Sequence, residues 1–334
     1  MEKNDLKFFV IGLGSMGKRR IRNLISLGHH DIIGYDIRND RMKEARKKYG
    51  IKTVKSHSLG FSQNPDLVII STWPNKHLIY AKESAKRKIP FFTEVNTEPS
   101  HIKQIIELIQ KHKVLGISSM TMKFHPSVKI IKETLDSKKL GKVYFVNYHS
   151  GENLEDWHPW EKLSDYYVGD IKTGGGRDQA VFELEWIVWL FGKPLEIMAK
   201  TKKLSNITAK IFDFYQMTLT LKDSIIINVL VDVIQRPPNR ILRIICEHGL
   251  IEWNWIQGLV RIFDSRTKTW KEFGHGEGYT GFNVEEMYQS EIFEVIKSIK
   301  KNTNLVHSFK EELFSSKLTI LAENSSKNSK IIKI

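Results

Sequence analysis

The chain has 334 residues, 41% of them hydrophobic, enough for a sizeable core and better divided into two domains than one. Its single cysteine, Cys246, excludes an intramolecular disulfide and points to a reducing, cytoplasmic setting; no apolar run is long enough to span a bilayer, and no secretory apolar segment follows the charged residues 1–7. The net charge of +14 is spread along the chain (Lys43, Lys47, Lys48; Lys138, Lys139; Lys300, Lys301) without interleaved aromatics, which argues against nucleic-acid binding and leaves a solvated surface that would attract an anionic small molecule.

From residue 7 to about 122, short apolar runs alternate with amphipathic stretches. Strands are predicted over 7–11, 31–35, 67–70, 91–94 and 114–118, and helices over 15–27, 39–49, 75–88 and 100–113. That alternation is the pattern of a doubly wound parallel sheet covered on both faces. The first strand runs into Gly12-Leu13-Gly14-Ser15-Met16-Gly17, a G-x-G-x-x-G turn. In such a turn Gly12 makes the bend, Gly14 lets the backbone approach a pyrophosphate, and Gly17 lets the helix pack closely on the strand. The amides at the helix start, around Ser15 and Met16, and the helix dipole favour the same anion. Asp36 ends the second strand at the separation expected of a ribose-binding acid. It would accept from both ribose hydroxyls and repel a 2′-phosphate, which favours NAD, whereas the guanidinium of Arg38 keeps NADP open. Ligands bind at the carboxyl ends of such strands. The next candidates are therefore Ser71, Thr72, Trp73, Asn75 and His77 after the third strand, Glu94 and Val95 after the fourth, and Lys123 and His125 beyond the fifth.

A helix is predicted from Pro126 to about 137 and a strand over 143–149. Residues 151–176 are rich in Trp, Tyr, Asp and Gly and carry no period, the mark of a functional loop. In it His158 lies close to Trp157 and Trp160; the His is a candidate base and the indoles could stack on a sugar face. Arg177 and Asp178 open the next helix, predicted over 182–191, and could bind hydroxyls or a phosphate. Glu183 and Glu185, two residues apart, face different ways, so at most one meets a substrate. The pairs Trp186/Trp189 and Trp253/Trp255 read as core or interface, and Arg236 and Arg240 as a sheet-end turn. Runs over 225–234, 240–246, 249–255 and 259–263 indicate a large, mostly antiparallel open sheet, followed by helices over 284–300 and 308–322. The expected division is an NAD(P)-binding domain over 1–122, an α+β substrate and oligomerisation domain over 123–323, and a frayed polar tail over 324–334. No metal site is predicted.

The glycine turn, Thr72-Trp73-Pro74-Asn75-Lys76-His77, Phe92-Thr93-Glu94, Lys123-Phe124-His125-Pro126, Gly174-Gly175-Gly176 and Trp189-Leu190-Phe191-Gly192 occur in an order that resembles the Gfo/Idh/MocA oxidoreductases over nearly the whole chain. Asp156-Trp157-His158-Pro159-Trp160, Phe182-Glu183-Leu184 and Gln235-Arg236-Pro237 further resemble a branch met in surface-polysaccharide biosynthesis. The resemblance implies a Rossmann domain holding a nicotinamide cofactor and a sugar or sugar-nucleotide substrate between it and the second domain's sheet. Two positions depart from it. Val95 stands where the family has a lysine after the glutamate, and Phe182 where it has the basic histidine of D-x-x-x-H. Catalysis then falls to other groups, and Lys123, His158 and Glu183 are the candidates. Two other readings fit the departures: a tightly held NAD serving elimination, epimerisation or hydrolysis, and a dinucleotide-binding partner protein without activity. An open sheet also calls for covering, so a homodimer or homotetramer is expected.

Overall fold

The computed structural model describes residues 6–159, 161–274 and 284–334, so the tryptophan predicted to stack at position 160 lies outside the described residues. The chain forms two compact units, Met1–Thr121 with Val284–Phe314, and Met122–Asn283 with Ser315–Ile334.

The first unit contains six parallel strands: β1 (Phe8–Ile11), β2 (Ile32–Tyr35), β3 (Lys52–Thr53), β4 (Leu67–Ile70), β5 (Phe91–Thr93) and β6 (Gly116–Ser118), in the order β3-β2-β1-β4-β5-β6. The runs FFVI and LVII are buried at every residue, as central strands covered on both faces require. Strand order reverses between β1 and β4, the crevice where such sheets bind ligands. The helices Ser15–Ser26, Asn39–Tyr49 and Pro99–His112 match expectation, while the predicted 75–88 helix divides into a turn at Pro74–Lys76 and the helix His77–Lys86. The strand Lys52–Thr53 and the helix His57–Phe61, too short to carry a hydrophobic period, escape the sequence pattern.

The chain's return to this unit departs from a linear division. The helix Val284–Lys301 belongs with it because its acids meet the basic helix Ser15–Ser26: Glu285 binds Arg19 and Arg22 at 3.0 and 2.8 Å, and the fully buried Glu291 binds Arg20 at 2.8 Å.

The second unit holds the nine-stranded sheet β14-β13-β12-β11-β7-β10-β9-β8-β15. Its strands are β7 (Val143–Asn153), β8 (Glu196–Lys202), β9 (Phe214–Thr220), β10 (Ile226–Asp232), β11 (Ile234–Cys246), β12 (Gly249–Asn254), β13 (Leu259–Asp264), β14 (Thr269–Phe273) and β15 (Ile332–Lys333). Among the described residues of this sheet, only β7 and β10 pair in parallel. Register aligns Arg240, Ser150, Val231 and Tyr215 in one row on the inner face, and Arg243, Asn147, Asn228 and Thr218 on the outer. The helix behind the inner face, Gly176–Phe191, starts six residues before its predicted start, where the Gly176 N–H donates to the Phe212 carbonyl at 3.0 Å. The loop over 154–168 has a small core of its own, with Leu154, Leu163, Tyr166 and Val168 packed on Ile207, Ile211 and Val233.

The expected frayed tail is ordered. The last helix, Phe309–Asn328, continues beyond its predicted end, and β15 pairs with β8. The hydroxyls of Ser325 and Ser326 accept from the backbone N–H groups of Ala199 and Thr201 at 2.9 and 2.8 Å, which ties the polar tail to a sheet edge. Among the described residues no helix is long and apolar enough to cross a membrane.

Candidate functional site

In the first unit the glycine turn has the geometry its sequence requires. Gly12 has φ +89°, and a Cβ there would lie 2.4 Å from the Ser71 carbonyl oxygen; one on Gly17 would lie 1.7 Å from the Gly12 carbonyl oxygen. Gly14 caps the helix Ser15–Ser26 without any side-chain bond, and no acid occupies its first turn, so the amides around Ser15 and Met16 present their positive end. Asp36 is buried; its carboxylate accepts from the Leu13 N–H at 2.7 Å and the Arg38 N–H at 2.8 Å, leaving further lone pairs for a ribose. Ile37 beside it is 82% exposed, an apolar face suited to an adenine ring that the motif did not single out. The Arg38 guanidinium grips Asp40 at 3.2 and 2.6 Å. The cation over the glycine turn is instead Arg41, whose Nη1 lies 3.8 Å from Asp36 and 3.3 Å from where a Gly14 Cβ would sit.

Just after β4, Thr72 Oγ1 and Asn75 Oδ1 are buried without a partner, and Trp73 is 41% exposed. Buried orphans are rare. Placed beside the glycine turn, they fit a polar ligand such as a dinucleotide. Ser71 and Glu94, expected as cofactor contacts, have structural duties for their side chains. Glu94 takes a bidentate bond from Arg20 at 2.8 and 2.7 Å and the Ser71 hydroxyl at 2.9 Å. Burial opposes its ionisation, but Arg20 and Ser71 hold it below the usual carboxylate range. Arg20 thereby pins the helix Ser15–Ser26 to the end of β5. Val95 is partly exposed and brings no charge.

In the second unit, register brings Tyr148, Ser150 and Arg240 onto Glu183. The buried carboxylate accepts from Tyr148 Oη at 2.6 Å, Trp186 Nε1 at 2.7 Å, Arg240 Nε at 2.9 Å and Ser150 Oγ at 3.0 Å. Four donors use its acceptor capacity, which corrects the reading of Glu183 as a catalytic group; it is the anchor of helix Gly176–Phe191 on the sheet. Arg240 is likewise more than a turn residue. Its guanidinium lies 4.8 Å from the Trp255 ring centroid and 6.0 Å from that of Phe182, the residue in the histidine's place.

Next to this pair stands the cluster with acid–base chemistry. Asp178 accepts from Tyr167 Oη at 3.2 Å; burial, offset by that bond and reinforced by the nearby charge of Glu152, holds its carboxyl up at about 7. Glu152 is also raised, by burial with Arg240 opposing, and accepts from Trp157 Nε1 at 2.9 Å. Asp178 was legible as a hydroxyl-binding candidate, and Trp157 as an aromatic one. Glu152 and Tyr167 were missed, and no local signal marks them.

The other candidates have these contacts. Lys123 places its Nζ 5.9 Å from the Trp189 ring centroid, and Lys132 shares that ring at 5.6 Å. Trp189 is eleven residues from Asp178 along the helix, about 16 Å at 1.5 Å per residue. His158 stacks on Tyr166 at 5.0 Å and has Nδ1 3.2 Å from Glu161, bonds that order the loop. His125 is buried between Trp253 and Trp255, at 5.3 and 4.6 Å, and its Nδ1 accepts from the Ser127 N–H at 3.1 Å. Burial and Arg240 lower it to about 3, so it is a neutral helix cap rather than a substrate group. Arg177 is committed to Glu323 at 2.8 and 2.5 Å, which corrects its reading as a substrate ligand. Among the described residues no group of three or more His, Cys, Asp or Glu is placed to hold a metal ion.

Residues 6–119 match the model of an oxidoreductase family with an NAD-binding Rossmann fold, and residues 128–252 match that of the GFO/IDH/MocA C-terminal domain. A comparison with curated protein sequences returns no match. Among solved structures, levoglucosan dehydrogenase in complex with NADH and levoglucosan is 13% identical with a TM-score of 0.89, covering 99% of this chain and 100% of its own. An oxidoreductase from Agrobacterium radiobacter with NAD+, L-tartaric acid and magnesium is 15% identical, TM-score 0.86, covering 99% and 98%. The WlbA dehydrogenase from Chromobacterium violaceum with NADH and UDP-GlcNAcA is 17% identical, TM-score 0.83, covering 100% and 97%. At these identities the likeness bears on the fold.

Proposed function

The chain belongs to the Gfo/Idh/MocA oxidoreductase family, with its NAD-binding Rossmann domain, and on that premise we propose that it oxidises a carbinol of a sugar or sugar nucleotide with Asp178 as proton acceptor. The observation that carries the reading is the Asp178 carboxyl held at about 7 beside Tyr167 and Glu152. A group half-ionised at neutral pH can take a hydroxyl proton and return it, which an ordinary surface carboxylate does poorly. When bound, NAD+ accepts the hydride from the carbinol carbon. The chain's part is to hold the dinucleotide through Gly12, Gly14, Gly17, Asp36, Thr72 and Asn75, and to take the proton at Asp178. Carboxylates beside partly exposed Trp157 and Tyr167 suit a polyol ring, with acceptors for its hydroxyls and aromatic faces for its C–H surface. The basic surface and the UDP-GlcNAcA in the Chromobacterium relative favour a sugar nucleotide. NAD is favoured over NADP, because Arg38 is engaged by Asp40 while the buried Asp36 side chain lies beside the turn.

The outer sheet face supports a homodimer or homotetramer: it exposes Met198, Ile226, Ile241 and Trp270, and carries the ion ladder Arg243–Glu252–Arg261–Glu272. Light scattering checks that directly, a monomer refuting it. The activity is tested by incubating the protein with NAD+ and a panel of sugars and UDP-sugars and following NADH. Turnover with at least one is expected. A protein that binds NADH and turns over none would favour the inactive-partner reading that Val95 and Phe182 motivate, and gain of activity on Val95→Lys would support it further.

A further inference from the structure

Beneath the loops that follow β4 and β5, a buried row of polar groups runs from Thr72 to Glu312. His77 is fully buried, with Nε2 2.9 Å from the Thr72 carbonyl oxygen and Nδ1 2.8 Å from Asn96 Oδ1. The Asn96 Nδ2 group donates to Glu312 at 3.0 and 3.1 Å, to Thr93 Oγ1 at 2.9 Å and to the Glu94 carbonyl at 3.2 Å, while its backbone N–H donates to Glu312 at 2.8 Å. These partners orient the amide. Turned over, it would set its oxygen against the Glu94 carbonyl, two atoms that can only accept. Asn96 Oδ1 therefore faces His77, and so does the carbonyl of Thr72. A neutral imidazole carries one N–H and would leave one nitrogen lone pair against an acceptor.

We infer that His77 is an imidazolium in the folded protein, with Glu312 as its counter-ion through the Asn96 amide, and that this buried cation is a positioning residue for the Thr72–Asn75 loop that contacts the cofactor. The titratable groups facing His77 are Glu94, already shared with Arg20, Glu312 through Asn96, and His101 from the helix Pro99–His112. Burial lowers the proton affinity of His77 and raises Glu312 to about 7, so the two groups contest one proton. The amide decides the contest. A proton on Glu312 would weaken the carboxyl as acceptor for the Asn96 N–H groups, whereas a proton on His77 gives each ring nitrogen a donor for the oxygen that faces it. The clamp on the Thr72 carbonyl fixes the backbone that carries the orphan oxygens of Thr72 and Asn75.

This inference needs only the NAD-binding unit and stands whether or not the protein turns over a sugar. The test is long-range 1H–15N NMR of histidine-labelled protein at pH 7.5, with the His77 signals assigned by their loss in His77→Gln. Protons on both ring nitrogens are expected, and a single protonated nitrogen would overturn the inference. Glu312→Gln removes the counter-ion and keeps the shape. It should convert His77 to the neutral ring and weaken NADH binding at pH 8 by about tenfold, the worth of one charge-assisted hydrogen bond, with a smaller loss at pH 6. An equal loss at both pH values would make the row a packing element only and refute the positioning role. Should that variant not fold, the wild-type spectrum alone decides.

Discussion

Replacing Asp178 by Asn separates stability from function in a way that few other changes here would. The carboxyl is shifted from 3.8 to about 7, and each unit is worth ~1.4 kcal/mol, so keeping it ionised costs the fold up to about 4 kcal/mol. The residue is partly exposed, which makes that figure a ceiling. The sign follows from linkage. Below pH 4 the folded and unfolded forms are both protonated; between pH 4 and 7 the unfolded chain loses its proton while the folded one keeps it, so stability falls as pH rises and the full cost applies above 7. Asn carries no such cost and still accepts from Tyr167. Asp178→Asn should therefore melt above wild type by calorimetry at pH 8, by roughly 1–3 kcal/mol, with the gap closing toward pH 4. Its turnover should fall by about 100- to 10,000-fold, the range for removing a general base. A variant as active as wild type, or less stable at pH 8, would refute the assignment.

Three further outcomes follow from the geometry. Gly17→Ala places a Cβ 1.7 Å from the Gly12 carbonyl oxygen, and NADH titration should show at least about a 100-fold loss of affinity as the turn is forced open. Arg240→Met leaves the Glu183 carboxylate buried without its cation and should lower stability by about 3–5 kcal/mol in denaturant melts, a loss that Glu183→Gln in the same chain partly restores. Asp36→Ala should improve NADPH relative to NADH by about tenfold, whereas Arg38→Ala, whose guanidinium already grips Asp40, should change the ratio by less than about threefold.

The cofactor half was legible because its signals are local. Four consecutive apolar residues read as a buried strand, and glycines at 12, 14 and 17 read as a turn whose close approaches at 12 and 17 only glycine permits. What escaped depends on tertiary register. Glu312 reaches Asn96 across 216 residues, and Glu291 reaches Met120 across 171, so nothing near β5 or β6 in the sequence announces either carboxylate. Arg240 looked like a turn residue because its meaning lies in the strand pairing that sets it beside Ser150 and over Glu183. Glu183 looked catalytic for the same reason: a glutamate on an apolar helix is conspicuous, and only the sheet supplies the four donors that occupy it. Asp178 was visible as a polar helix-start residue, but its raised proton affinity comes first from burial and then from Glu152 on another element, neither of which is local in the sequence.

The most direct test of the account is the pH dependence of kcat/KM for NAD+-dependent oxidation of the best sugar or UDP-sugar substrate, measured for wild type and Asp178→Asn alongside NADH affinity. The account expects activity to rise with pH through a single ionisation near 7, and that limb to vanish in the variant while NADH binding is kept. Wild-type turnover with no ionisation between pH 6 and 8, or the same limb surviving in Asp178→Asn, would contradict it.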